Sequence, residues 1–167
     1  RQPGSVFKPM IYLTALEEGY NPTTELLNQP LIVFIDDTTS WNPQNHDGST
    51  GLMTTLREGI KKSLNLISVR VVQELVSPNS IVKNAKKFGL TSNIRPVDAI
   101  ALGVSEVKLI EMTSAYSAIA NDGILTQPIS ITRIEDRNGQ LIKNFYPDSR
   151  EVKDESVIYK YFILQFF

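Results

Sequence analysis

Cysteine is absent from the chain, which excludes disulfides and thiolate metal sites. Histidine occurs once, as His46 beside Asp47-Gly48. A single imidazole cannot assemble a zinc centre, and Asp-Gly is turn chemistry, so His46 is expected on a solvated turn. Neither sign of charge prevails: 17 Lys and Arg stand against 18 Asp and Glu, for a net charge of −1. Nucleic acid and anionic membrane surfaces are therefore not expected partners, since both ask for a basic excess. No apolar run reaches the roughly 20 residues of a membrane span. Signal-peptide patterning, internal repeats and low-complexity stretches are missing too. What is present is an ordinary globular mixture of 167 residues, 41% hydrophobic and 21% charged, enough for one domain with a real core. The first residue is not methionine, so the segment is expected to belong to a longer chain.

The most informative stretch is Arg1-Gln2-Pro3-Gly4-Ser5-Val6-Phe7-Lys8-Pro9. Pro3-Gly4 marks a turn. From Ser5 an apolar run through Val6, Phe7, Met10, Ile11, Leu13 and Leu16 predicts a helix to about Glu18, stopped by Gly19. Pro9 is tolerated because its missing N–H falls in the first turn, where donors have no helical partner. Ser5 then stands at a helix N-terminus, with Lys8 one turn later on the same face. A serine hydroxyl needs a nearby base to attack a carbonyl. A lysine amine can be that base when burial lowers its pKa. The N–H groups at a helix start can also stabilise an oxyanion. The S-x-x-K spacing recurs as Ser80…Lys83 and Ser105…Lys108, so spacing alone does not choose among the three.

The remaining elements read as follows. Residues 19–50 are rich in breakers, with a short strand over Leu31–Ile35. Thr55 and Glu58 form a capping box for the next helix. Its apolar periodicity runs through Leu56, Ile60, Leu64, Ile67 and Val71 to Val76 without a break, although Asn65, a poor helix former and a good cap, is a reasonable place for one. Ser77-Pro78 opens a further helix with Ile81, Val82, Ala85 and Phe88 on its apolar face and Gly89 at its end. That capping role, with surface charge, accounts for Ser77-Pro78-Asn79 and Ser80…Lys83. Ser105 is expected to cap a helix reaching about Ala120, with Leu109, Met112, Tyr116 and Ile119 in the core and Lys108 solvated. Ile129–Glu135 and Gln140–Phe145 flank Asp136-Arg137-Asn138-Gly139 and predict a β-hairpin over 129–145. Ser156–Phe167 is nearly all apolar, too short to span a bilayer, and expected to cover itself by association with a neighbouring molecule or to stay poorly ordered.

Several of these stretches carry a family resemblance. Pro3-Gly4-Ser5-Val6-Phe7-Lys8-Pro9 resembles the nucleophile segment of the high-molecular-weight penicillin-binding proteins, whose S-x-x-K motif is shared with class A β-lactamases. Trp41-Asn42-Pro43-Gln44-Asn45 resembles their aromatic-x-P-x-N loop. Thr55-Leu56-Arg57-Glu58-Gly59 through Ser63-Leu64-Asn65 resembles the segment with their S-x-N motif. Ala101-Leu102-Gly103, Glu111-Met112 and Ala120-Asn121-Asp122-Gly123 resemble the region downstream. These motifs follow in the family's order over most of residues 1–145 and are closest to the bifunctional class A type. The resemblance implies an α/β (α+β) transpeptidase/β-lactamase-like fold, with this chain as mainly its helical part plus the hairpin. It also implies the break at Asn65.

The roles implied are four. Ser5 attacks a carbonyl and is acylated. Lys8 accepts its proton. Ser63 shuttles a proton to the leaving amine. Asn65 orients Lys8 and binds the substrate's amide backbone. The implied partners are peptidoglycan stem peptides and β-lactam antibiotics, with no cofactor or metal, in an extracytoplasmic location. The family's K-T-G strand has no counterpart, since no lysine here is followed by Thr-Gly or Ser-Gly. The resemblance places that strand past Phe167, so the segment alone is expected not to catalyse cross-linking. A serine β-lactamase and a non-catalytic β-lactam sensor are the alternative readings. The first needs a base aimed at the acyl-enzyme, and no convincing glutamate-bearing loop follows Asn65.

Overall fold

The chain winds around its first helix. In a computed structural model, which describes residues 1–34 and 40–166, a 3-10 turn over Gly4–Phe7 leads into α1 (Lys8–Glu17). Every residue from Lys8 to Leu16 is buried. A helix apolar on all sides belongs in the middle of a domain, and α1 packs against helices from the middle of the chain and from its end. Gly19 ends it with left-handed backbone as expected. The helix differs from expectation at its start, where Ser5 lies in the 3-10 turn rather than in the α-helix.

The predicted break in the second helical stretch is present. The helix α2 (Leu56–Lys61) stops, and α3 (Asn65–Arg70) begins after a gap of three residues, running into a π-helical turn at Val71–Leu75. Thr55 accepts the Glu58 N–H as the capping box requires. The stop is a Schellman-type closure, with Leu64 N–H on Gly59 O at 2.8 Å and Ser63 N–H on Ile60 O at 3.0 Å. Hydrophobic period alone did not reveal it, because Leu64 and Ile67 are buried on either side of the break.

Next comes α4 (Pro78–Lys87), capped by Ser77 Oγ on the Ser80 N–H at 3.0 Å. It lies on α1 through a buried polar contact that the sequence did not announce: Asn84 Nδ2 donates to Thr14 Oγ1 at 2.9 Å, and Thr14 donates to Met10 O at 2.6 Å. The helix α5 (Leu109–Ala120) starts later than predicted. Ser105 is not its cap but a buried acceptor for the Arg95 N–H at 3.0 Å. Met112 and Ile119 are core, whereas Leu109 is 83% exposed and Tyr116 40% exposed. Glu111 anchors the start of α5 by accepting from Thr91 Oγ1 and Ser92 Oγ, both at 2.6 Å. Burial alone would raise its carboxyl pKa, but those hydrogen bonds outweigh burial and bring it down to about 2.

Among the described residues, strands are short and paired antiparallel in four separate two-stranded sheets. They are β1 (Glu25–Leu27) with β4 (Met53–Thr55), β2 (Val33–Phe34) with β3 (Ser40–Trp41), β5 (Ile124–Thr126) with β8 (Ser149–Glu151), and β6 (Arg133–Glu135) with β7 (Leu141–Asn144). The last pair is the expected hairpin, shorter than predicted, with Asp136 Oδ1 holding the Asn138 and Gln140 N–H groups at 2.8 Å. Of the strand expected over Leu31–Ile35, Val33 and Phe34 are extended; Ile35 lies outside the described residues.

The apolar C-terminal stretch is helical. It forms α6 (Glu155–Phe166) and lies on α1 and α2. Ile158, Tyr161 and Leu164 are buried at i, i+3, i+6, so the chain itself covers this stripe without a neighbouring molecule. Phe167 lies outside the described residues. Ile158→Ala is expected to cost about 2–5 kcal/mol, the range for opening a core cavity. Tyr159→Ala, at a site 65% exposed, should stay within about 0.5 kcal/mol. Urea unfolding of the two variants reads the difference.

Candidate active site

The N-terminus of α1 and the α2–α3 junction meet at one amine. Lys8 is the first residue of a buried helix, and only 2% of it is exposed. A buried ammonium is costly unless each of its donors finds a partner. Lys8 Nζ has three: Ser63 O at 2.6 Å, Ser63 Oγ at 3.0 Å and Asn65 Oδ1 at 2.8 Å. All come from the break between the helices. Burial lowers its pKa from 10.5 to about 8, close to the range where an amine can serve as a base.

The junction is shaped for this contact. Ser63 has φ of 53°, in left-handed backbone that glycine usually occupies at a helix stop. A serine held there costs of order 1 kcal/mol, and such outliers cluster at functional sites. That conformation turns both its carbonyl and its hydroxyl toward Lys8. Asn65 is held at its other end, Nδ2 donating to Gln44 O at 2.9 Å. The amide therefore presents Oδ1 to Lys8.

Sequence reasoning did not assign a structural role to Asn45. It is buried, its Oδ1 accepts the Leu66 N–H at 3.0 Å, and its Nδ2 donates to Asn28 Oδ1 at 2.9 Å and Ser49 O at 2.7 Å. It thereby caps the first turn of α3 from outside and ties loop 42–49 to the helix bearing Asn65. The aromatic-x-P-x-N pattern was the available signal. His46, in the same loop, is exposed on a turn.

Ser5 is exposed in the 3-10 turn, three residues before Lys8. Among the described residues its Oγ has no hydrogen-bond partner, and Lys8 Nζ is turned to the junction instead. The structure thus joins Lys8, Ser63 and Asn65 directly, and brings Ser5 to the same helix end without a bond to them. The other two S-x-x-K pairs are elsewhere. Ser80 sits in the capped first turn of α4 with Lys83 exposed. Ser105 is buried against Arg95, and Lys108 is exposed 3.6 Å from Glu111. Two glutamates beyond Asn65 are engaged away from the cluster, Glu74 with Arg70 and Glu111 with Thr91 and Ser92.

A lysine desolvated against a serine and an asparagine, with a second serine one turn ahead of it, is the arrangement of a serine–lysine acyl-transfer site. The family model of the penicillin binding protein transpeptidase domain matches residues 1–161, and the chain belongs to that family. Its relatives include penicillin-binding protein 1A of Rickettsia felis, 39% identical over 90% of this chain and 19% of the relative. Penicillin-binding protein 1A of Pseudomonas aeruginosa is 37% identical over 93% of this chain and also 19% of its own length. The chain thus spans about a fifth of the curated relatives it matches. Among solved structures, penicillin-binding protein 1A from Haemophilus influenzae superposes with a TM-score of 0.83 at 28% identity, covering 89% of this chain and 22% of that one. Penicillin-binding protein A from M. tuberculosis, solved as an imipenem acyl-enzyme complex, has the same fold, with a TM-score of 0.87 at 21% identity over 98% of this chain and 42% of that one.

Proposed function

We propose that this segment carries the nucleophile, base and proton relay of a peptidoglycan D,D-transpeptidase. Residues 1–167 then form the helical portion of a transpeptidase domain, with the 129–145 hairpin attached. Ser5 Oγ attacks the carbonyl carbon between the two D-alanines ending a stem peptide, and Lys8 takes the hydroxyl proton. In a 3-10 turn side chains at i and i+3 eclipse, so rotation about the Ser5 Cα–Cβ bond swings its hydroxyl toward the amine. The C–N bond breaks, the departing D-alanine takes a proton from Ser63 Oγ, and Lys8 replenishes Ser63. An amine from a second stem then attacks the acyl-serine, forming the cross-link and restoring Ser5. A β-lactam enters at the first step and leaves its opened ring on Ser5. The reaction takes place where peptidoglycan is, outside the cytoplasm.

The observation that carries this reading is the triple hydrogen bond on Lys8. Two of its acceptors are carbonyl oxygens, which can only accept. Ser63 Oγ can also donate, so it is the natural neighbour to exchange a proton with the amine once that is neutral. Asn65 has a second N–H left for a substrate carbonyl.

No Lys-Thr-Gly or Lys-Ser-Gly sequence is present, so residues 1–167 alone should acylate and cross-link negligibly. Removing a single oxyanion donor typically slows such chemistry by about 100- to 1000-fold.

A labelled penicillin added to the native protein carrying this segment, followed by peptide mapping, tests the assignment. The label is expected on Ser5 and lost in Ser5→Ala. Label on Ser80 or Ser105, or label surviving Ser5→Ala, overturns it. A label that forms and hydrolyses within seconds would favour a β-lactamase, and no label at all a non-catalytic role.

A further inference from the structure

Taking Ser5 as the nucleophile, as proposed above, we infer that Gly103 and Tyr116 are positioning residues that set where the Ser5 turn stands against Lys8. Neither is near Ser5 in sequence, and neither belongs to the Lys8–Ser63–Asn65 cluster.

The turn carrying Ser5 lies ahead of the buried helix and is packed into the core at its far end by Phe7, while its first residues have little packing of their own. Ser5 and Val6 are exposed, and Gly4 has φ of 60° with nothing within 4 Å of where a Cβ would stand. It is held by backbone groups of residues 103–107 and by one phenol. Arg1 and Val107 exchange N–H···O bonds of 3.1 Å in both directions. The Gly4 N–H donates to Gly103 O at 3.2 Å. Tyr116, reaching across from α5, donates its hydroxyl to Val6 O at 2.9 Å. Positions 1, 4 and 6 are thus all fixed by one stretch of chain, residues 103–116. That segment is itself pinned by Ser105 under the Arg95 N–H and by Glu111 under Thr91 and Ser92. The Pro3–Gly4 and Val6–Phe7 peptide units, one residue out on either side of Ser5, are therefore clamped while its hydroxyl stays free.

Gly103 is where the two backbones touch. Its φ of 64° is left-handed, and a Cβ there would stand 2.3 Å from Gly4 O and 2.9 Å from Gly4 N. Both are backbone atoms, so no side-chain rotation relieves the clash. The nucleophile turn itself would have to move by a substantial fraction of an ångström. Displacement of about 1 Å can cost roughly a hundredfold in rate when reacting groups must align. Tyr116 acts through its proton. Partial burial raises its pKa, so the hydroxyl stays a donor across the working pH range.

Gly139 supplies the control. Its φ of 82° makes Gly139→Ala pay a left-handed penalty of similar kind, but a Cβ there meets nothing within 4 Å. The experiment compares Gly103→Ala, Tyr116→Phe and Gly139→Ala in the native protein. Melting temperature, the affinity for penicillin before acylation, and the acylation rate constant on Ser5 are followed for each. Gly103→Ala is expected to lower the rate constant about tenfold or more, and Tyr116→Phe severalfold, with pre-acylation affinity and pH profile unchanged. Gly139→Ala should shift melting alone. Should Gly103→Ala not fold, Tyr116→Phe decides by itself. A Ser5 adduct forming at the wild-type rate in the folded variants overturns this inference alone, as does a slowing matched by Gly139→Ala. A wild-type protein with no Ser5 adduct overturns the functional reading and this inference with it.

Discussion

Lys8→Arg is expected to lower β-lactam acylation by a hundredfold or more, the scale of a general-base contribution. Arginine keeps the positive charge and can satisfy the same acceptors, but it does not deprotonate in a protein. The variant therefore separates charge from basicity, and acylation within a few-fold of wild type would show that charge suffices. The wild-type pH profile gives a second check. Lys8 is a base only when neutral, and burial puts its pKa at about 8, down from 10.5. The acylation rate should rise with pH and level off above about 8, with no such rise in Lys8→Arg. The same shift sets the sign for stability. The folded state holds the proton less tightly than the unfolded chain, so the Lys8 contribution becomes more favourable as pH rises from about 8 toward 10.5. Below pH 8 the protein carries the cost of the buried charge.

Asn45→Ala should damage both stability and catalysis, although Asn45 is not one of the reacting groups. It removes three hydrogen bonds at once and leaves the Leu66 N–H, Asn28 Oδ1 and Ser49 O without them. Orphaned buried groups cost about 1–3 kcal/mol each, so a loss of about 2–5 kcal/mol is expected in urea unfolding. Catalysis should fall as well. Gln44 O, one residue away, holds the Asn65 amide in the orientation that faces Lys8. Asn45→Asp separates the contributions, since it keeps the acceptor for Leu66 N–H and loses both donated bonds. A variant as stable as wild type would mean that loop 42–49 holds without its asparagine. Asn42→Ala, at an exposed position in the same loop, should be near neutral.

Much of the fold was legible because local chemistry dictated it. Ser77-Pro78 had to start a helix, Thr55 with Glu58 had to cap one, and Asp136 through Gly139 had to turn a hairpin. The misreadings came where one signal served two structures. Ser105 has a cap's residue type, but its hydroxyl is spent on Arg95. Leu109 and Tyr116 fall on helical spacing with Met112 and Ile119, yet Leu109 faces solvent and Tyr116 reaches over to Val6 O instead of entering the core. The apolar stretch of α6 resembled an unfinished surface because its cover, α1 and α2, lies about a hundred or more residues earlier.

Taken by itself, the sequence determined which residues could do chemistry. Ser5 and Lys8 lie three apart at a helix start, Ser63 and Asn65 two apart at a helix break, and family motifs in order tied the two stretches together. Tertiary structure alone decided how they meet. The bonds from Lys8 to Ser63 and Asn65 join residues 55 and 57 positions apart, and those from Gly4 to Gly103 and from Tyr116 to Val6 span about a hundred. Periodicity and caps report only neighbours within a turn or two of the chain. Contacts such as these depend on how α1 is buried, because the α2–α3 junction and the stretch from Gly103 to Tyr116 reach its N-terminal end from far along the chain.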